Sequence, residues 1–304
     1  MASGAEEPTY DFVDHDIIAK FARLNVRPRG LAAGNFTGMH RSSHHGASVE
    51  FAEYRKYVPG DDTRRIDWRV YAKSDRFYLK EFEADTNLRC YLVLDCSGSM
   101  TFASDGMSKF EYARRLAATL AHLLVHQSDH VGVLCFNDQV VHDIPPRGNP
   151  AHLRFIYDTI DRVKPRGKTD MVEILHGLAE RISQRAMIVL FSDFFVDIDP
   201  LISCFEHMRH RKHDLVAFQL LDRQETEFEF DRPIRFQDLE GGSALMTEPV
   251  AIQRDYRIAV DNFLSAMRHG CRQHNVDYQL TMTSEPTETA LTKFLLSRAK
   301  RWRS

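Results

Sequence analysis

The chain has 304 residues, enough for one large domain with an appendage or for two domains, and its 43% apolar content lets it bury a core without staples. Its 40 basic and 43 acidic side chains sum to −3, so it has neither the bulk basic field of a nucleic-acid binder nor the acidity of a disordered chain. The five cysteines (Cys90, Cys96, Cys135, Cys204 and Cys271) are odd in number and contain no C-x-x-C pair, which argues against a disulfide framework or a cysteine zinc site.

The acidic start (Glu6, Glu7, Asp11, Asp14, Asp16) lacks the basic and apolar order of a secretory signal. No run approaches the roughly 18 apolar residues that span a bilayer. The expectation is a cytoplasmic protein without a membrane segment.

In chain order, a helix is expected around Phe12–Leu24, broken by Pro28, Gly30 and Gly34. Residues 41–87 are dense in charge and read as a small β-rich element. Ile66, Trp68 and Val70 alternate with Asp67 and Arg69 as in a strand, and Val58–Asp62 is a turn signal. From Leu88 strands and helices alternate. Strands are expected at 90–94, 131–136, 140–144, 186–191, 215–221 and 276–283. Helices are expected at 107–128, from Asn149-Pro150, from about Asp170, from Asp199-Pro200, at 254–274 and at 286–300. Residues 222–250 read as polar and irregular, their role open. The expected fold is α/β, a doubly wound, mostly parallel Rossmann-type sheet, with 140–144 as an antiparallel edge. The expected division is 1–87, a helical and β-rich segment, and 88–304, the α/β domain.

Ligands of open α/β sheets bind beyond the carboxyl ends of the strands. The first strand of this sheet ends in Asp95, Ser97 and Ser99. A later loop offers Thr169 before a helix, and the strand at 186–191 runs into Asp193. Carboxylates and hydroxyls on tight loops suit a hard cation, Mg²⁺ first, with Mn²⁺ or Ca²⁺ also possible. The bland alternatives are helix caps for Ser97, Ser99, Thr169 and Asp170, the last forming a capping box with Glu173.

Asp-x-Ser-x-Ser, a Thr and an Asp on successive loops resemble the metal-ion-dependent adhesion site of von Willebrand factor A domains. The stretches Arg41–Gly46, Val49–Phe51, Arg55–Asp62 and Arg64–Trp68 resemble the signature of the bacterial family called domain of unknown function 58. That resemblance implies a von Willebrand factor A-like domain, a bound metal completed by a partner's Asp or Glu, and a MoxR-type AAA+ ATPase as partner in remodelling or maturation of client proteins. Asp95, Ser97 and Ser99 would ligate directly, Thr169 directly or through water, and Asp193 from behind. Arg55, Tyr57, Asp61, Asp62, Arg65, Asp67 and Trp68 form a candidate partner surface, against the plainer reading of an ion-paired layer.

The rival class is a Mg²⁺-dependent hydrolase. The second carboxylate of a dehalogenase-type Asp-x-Asp is missing, since position 97 is Ser. Gly-x-Ser-x-Gly fails around Ser97, and Gly167-Lys168-Thr169 lacks the upstream glycine of a phosphate loop. Nucleic-acid binding is a minor alternative that rests on the basic tail Lys293, Arg298, Lys300, Arg301 and Arg303. His122/His126/His130 and His207/His210/His213 recur at helical spacing but read as solvated faces rather than zinc sites.

Overall fold

The computed structural model describes residues 10–21, 41–42, 49–58, 66–74, 76–85, 88–230, 234–236, 239–241 and 245–301. The chain forms two compact units: Gly30–Asn87, and Met1–Arg29 with Leu88–Ser304. Residues 1–29 thus belong with the α/β unit, against the expected grouping of 1–87. The reason is burial. Helix α1 (His15–Phe21) is amphipathic, and Phe12, Ile17 and Phe21 are part of the main core.

The smaller unit contains β1 (Arg41–Ser42), β2 (Val49–Lys56), α2 (Trp68–Ser74) and β3 (Tyr78–Asp85). Its strands form an antiparallel sheet in the order β1-β3-β2. The β-rich reading holds, but the alternation at 66–70 is not a strand. The Asp67 carboxylate accepts the N–H groups of Arg69 and Val70 at 2.9 and 3.3 Å and starts α2 as its cap. Over five residues the hydrophobic period is too short to resist one good cap.

The larger unit runs β4 (Arg89–Asp95), α3 (Lys109–His126), β5 (His130–Phe136), β6 (Val140–Arg147), α4 (Pro150–Arg162), α5 (Met171–Arg181), β7 (Met187–Ser192), α6 (Ile198–His210), β8 (Asp214–Leu221), α7 (Arg223–Glu227), β9 (Ile234–Phe236), β10 (Leu245–Thr247), α8 (Pro249–Gln273), β11 (Asp277–Met282) and α9 (Thr287–Arg301). The main sheet has the order β11-β8-β7-β4-β5-β6, parallel except for the edge strand β6. Alternate residues serve opposite faces. Leu92, Leu94 and Val133 pack with α3, α4 and α9, whereas Val93, Leu134 and Ile188 pack with α5 and α6. This is the expected doubly wound α/β fold. Among the described residues of 222–250, regular elements appear where an irregular segment was expected: α7, the antiparallel β9–β10 pair and the start of α8. Among the described residues, no helix is long and apolar enough to cross a membrane.

The basic tail is not uniformly a surface. Arg298 is buried, and its guanidinium meets Asp214 at 2.7 Å and Asp277 at 3.2 Å, the first residues of β8 and β11. This clamp ties α9 to the amino edge of the sheet, opposite the candidate site. Arg298→Met should remove about 3–5 kcal/mol from the unfolding free energy, because it takes the buried cation away from two buried carboxylates. Urea titration measures it, and a loss under about 1 kcal/mol would show that the clamp contributes little.

Candidate metal centre

The strand order makes the gap between β4 and β7 the topological switch point, where connections leave in opposite directions and a crevice opens beyond the carboxyl ends. Asp95 is the last residue of β4, and Asp193 directly follows β7. Both are buried, at 0% and 3% exposed, so neither is an ordinary surface carboxylate.

The Asp95 carboxylate is fixed from two sides. Its Oδ1 accepts the Ser97 N–H at 2.9 Å, and its Oδ2 accepts the Ser192 hydroxyl at 2.7 Å. Burial, aided by the neighbouring Asp193 charge, pushes its pKa up to about 7, although the Ser192 and Ser97 hydrogen bonds oppose the shift. The Ser97 and Ser99 hydroxyls stand 3.1 Å apart at the start of a 3-10 turn, Gly98–Thr101. They do not cap a helix. The cap of α3 is Ser108, in a capping box with Glu111.

The second loop is stitched to the first. The Gly98 N–H donates to the Gly167 carbonyl at 2.7 Å, and the Arg166 N–H donates to the Cys96 carbonyl at 2.9 Å. Gly167 has φ +78°, a left-handed conformation that suits glycine. Two residues on, the Thr169 hydroxyl oxygen is buried and has no hydrogen-bond partner. Asp170 precedes α5 but makes no side-chain cap bond, so the alternative of a capping box with Glu173 does not form. Gly98 is required for space, because a Cβ there would lie 2.0 Å from the Leu239 carbonyl oxygen.

Sequence reading missed five side chains. Ser192 bridges the Asp95 carboxylate and the Phe194 N–H. The Gln219 amide donates to the Asp193 carbonyl at 2.7 Å and itself accepts the Tyr278 hydroxyl at 2.6 Å. Lys109 is wholly buried, and its ammonium donates to Asp193 Oδ2 at 2.7 Å and to Glu225 Oε1 at 2.5 Å. Burial alone would lower the Lys109 pKa; the two carboxylates outweigh it and hold the pKa above the ordinary lysine value. One signal for Lys109 was available: a cation at the first position of a helix opposes the helix dipole.

The donor set is hard oxygen, two carboxylates and three hydroxyls. Among the described residues, no three His, Cys, Asp or Glu side chains stand together as a metal site. The histidines fill other roles. His122 is partly buried with Nδ1 3.2 Å from the Tyr157 hydroxyl, and burial lowers its pKa to about 4. His213 is buried rather than on a solvated face, and its Nδ1 accepts the Ala186 N–H at 3.3 Å.

In the smaller unit, Arg55 lies in β2, and Asp61, Asp62 and Arg65 lie outside the described residues. Asp67 is buried as the α2 cap. Trp68 is 60% exposed and stands edge-on to Tyr71 and Phe77, which stack at 4.4 Å. Tyr57 packs edge-on to Phe77 at 6.1 Å. These four rings form an aromatic group that sequence reading located only in part.

The raised Asp95 pKa has a stability consequence. The folded protein holds this proton at a higher pH than the unfolded chain, so the stability contributed by protonated Asp95 is lost as pH rises from about 4 to about 7. In chelator, Asp95→Asn should abolish that loss. Its stability relative to wild type should rise between pH 5 and pH 8 by on the order of 2–4 kcal/mol, read from urea unfolding at both pH values. Parallel pH dependences would contradict the raised pKa.

A family model described as "Protein of unknown function DUF58" matches residues 53–263. The uncharacterized proteins Rv1480 of Mycobacterium tuberculosis and Mb1516 of Mycobacterium bovis are each 28% identical over 238 residues, covering 76% of this chain and 74% of theirs. Among solved structures, the conserved hypothetical protein BatB from Bacteroides thetaiotaomicron aligns over 70% of this chain and 100% of its own, at 13% identity and TM-score 0.48. The SpRpn10 VWA domain aligns over 68% of this chain and 95% of its own, at 12% identity and TM-score 0.41. The family match spans both compact units and more than half of the sequence, so this chain belongs to the DUF58 family.

Proposed function

We propose that this chain is a metal-dependent protein-binding module, an adaptor or co-chaperone that works with a MoxR-type AAA+ ATPase in the remodelling or maturation of client proteins. It binds rather than turns over, and its working place in this reading is the cytoplasm. The observation that carries the metal reading is the Thr169 hydroxyl. It is buried without a partner, on the loop bonded to the Asp95–Ser99 turn. A buried hydroxyl left unsatisfied costs about 1–3 kcal/mol, and a cation at this crevice would remove that cost.

Asp95, Ser97, Ser99 and Thr169 would hold the ion, with Asp193 behind them. Bound there, Mg²⁺ would supply an electrophilic centre for a carboxylate from a partner. Mn²⁺ or Ca²⁺ would meet the same oxygen donors. Membership of the DUF58 family supports the AAA+ partner through the implication of that resemblance. The exposed Trp68, beside Tyr57, Tyr71 and Phe77, supports a second contact surface on the smaller unit, since aromatic anchors dominate many protein interfaces.

Titration calorimetry with Mg²⁺ tests the site. Wild type should bind, and Asp95→Ala should lose about tenfold or more in affinity, since it removes the central anionic ligand. Retention of a MoxR-type ATPase from source lysate should follow the same order: wild type in Mg²⁺, neither wild type in chelator nor the variant. Equal retention in all three would remove the ion from the contact. Trp68→Ala should leave stability within about 0.5 kcal/mol yet reduce ATPase retention severalfold. Unchanged retention would remove the aromatic group from the partner surface.

A further inference from the structure

We propose that Lys109 is a positioning residue of this centre: it holds Asp193 away from the ion, and thereby trades metal affinity for attraction to an acidic partner. The inference rests on the metal reading above. Lys109, the first residue of α3, is 0% exposed, and its Nζ lies 5.9 Å and 5.4 Å from the ring centroids of Phe102 and Phe195. A buried ammonium persists only when it is compensated. Asp193 Oδ2 and Glu225 Oε1 compensate it at 2.7 and 2.5 Å. The other Asp193 oxygen, Oδ1, accepts the Phe195 N–H at 3.2 Å. Both oxygens carry a partner, as in Asp95, but only at Asp193 is one of those partners a cation, so an ion that approaches its Oδ2 meets the like charge of Lys109.

A divalent cation and Lys109 therefore compete for the same carboxylate. While Lys109 holds it, the ion has one close protein carboxylate, Asp95, and three hydroxyls. More of its charge is then left for a carboxylate from outside. Glu225 sets the balance from the far side by taking a share of the ammonium. It sits on α7, whose cap residue Asp222 accepts both the N–H and the hydroxyl of Ser104 in the loop that leads to Lys109. Glu225 is thus fixed relative to Lys109 and cannot simply follow it. Removing Lys109 should tighten the ion. Removing the Glu225 charge should weaken it, because the ammonium then falls wholly to Asp193.

The experiment measures Mn²⁺ binding by electron paramagnetic resonance on chelator-treated full-length protein. The set is wild type, Lys109→Met, Glu225→Gln and the double variant Lys109→Met/Glu225→Gln, with thermal unfolding as the control for folding. The double variant leaves the formal buried charge sum unchanged, so it keeps the test alive where Lys109→Met alone fails to fold. Both Lys109 variants should bind Mn²⁺ about tenfold more tightly than wild type, and Glu225→Gln about threefold more weakly. Acetate, the probe for a partner carboxylate, should displace water from wild-type Mn²⁺ more readily than from the double variant, read by water-proton relaxation.

If all folded forms bind Mn²⁺ within twofold of one another, Lys109 is only structural; the inference falls and the metal reading stands. If none binds Mn²⁺ at millimolar concentrations, the metal reading falls and the inference with it. Binding by the double variant alone would mean that Lys109 keeps the ion out of the native chain, and would overturn both the metal reading and the trade-off.

Discussion

Two carboxylates buried at the ends of adjacent parallel strands form the constraint around which the carboxyl edge of this sheet is organised. Asp95 and Asp193 lie where the strand order reverses, and water reaches neither freely. Like charges in such a place repel one another, and each loses hydration. The structure answers each cost separately. Asp95 gains a backbone N–H and the Ser192 hydroxyl and holds its proton toward neutrality. Asp193 gains an internal cation, Lys109. That cation brings in Glu225, and Glu225 anchors the segment that follows β8. One electrostatic problem thus explains why a lysine begins α3 and why a capped turn follows β8.

Much of this was legible in the sequence, and what was not has a physical cause. The strands of the main sheet announce themselves as continuous apolar runs, because both of their faces are covered. Asp95, Ser97 and Ser99 stand out because three oxygen side chains on one tight turn follow such a run. Lys109 does not stand out. Its partners are 84 and 116 residues away, and only the fold brings them together. Gln219 was hidden for the same reason, as a polar residue within a strand that read as core, and Ser192 was passed over between the expected strand end and Asp193. At Asp67 the failure was local: alternation over five residues suggested a strand, and a single cap decided for a helix. The N-terminal stretch was assigned to the wrong unit because an amphipathic helix shows that it packs, but not against what.

The two compact units divide the chemistry. The α/β unit carries the oxygen donors at its switch point. The smaller unit carries an aromatic group on and beside α2, with Trp68 and Phe77 exposed. An ion-centred contact is directional and weakened by proton or chelator, whereas an aromatic contact depends on buried area and is indifferent to both. In the proposed function, the first would hold one partner and the second another, which is the minimum an adaptor requires.

In the proposed reading, burial limits the direction from which a partner would reach the candidate centre. Asp95, Ser97 and Asp193 are closed off, while Ser99 and Thr169 belong to residues that are partly exposed. Leu239 lies over Gly98, so close that no side chain fits at that position. Among the described residues, the partly exposed side of the centre is therefore that of the Ser99 turn and the Thr169 loop. Those two loops are joined by the Gly98–Gly167 hydrogen bond. A displacement of Thr169 toward an ion would strain that bond and be felt at α5, which begins two residues later. In the proposed metal reading, the hydroxyl that lacks a partner would thus also be the ligand best placed to report that an ion has arrived.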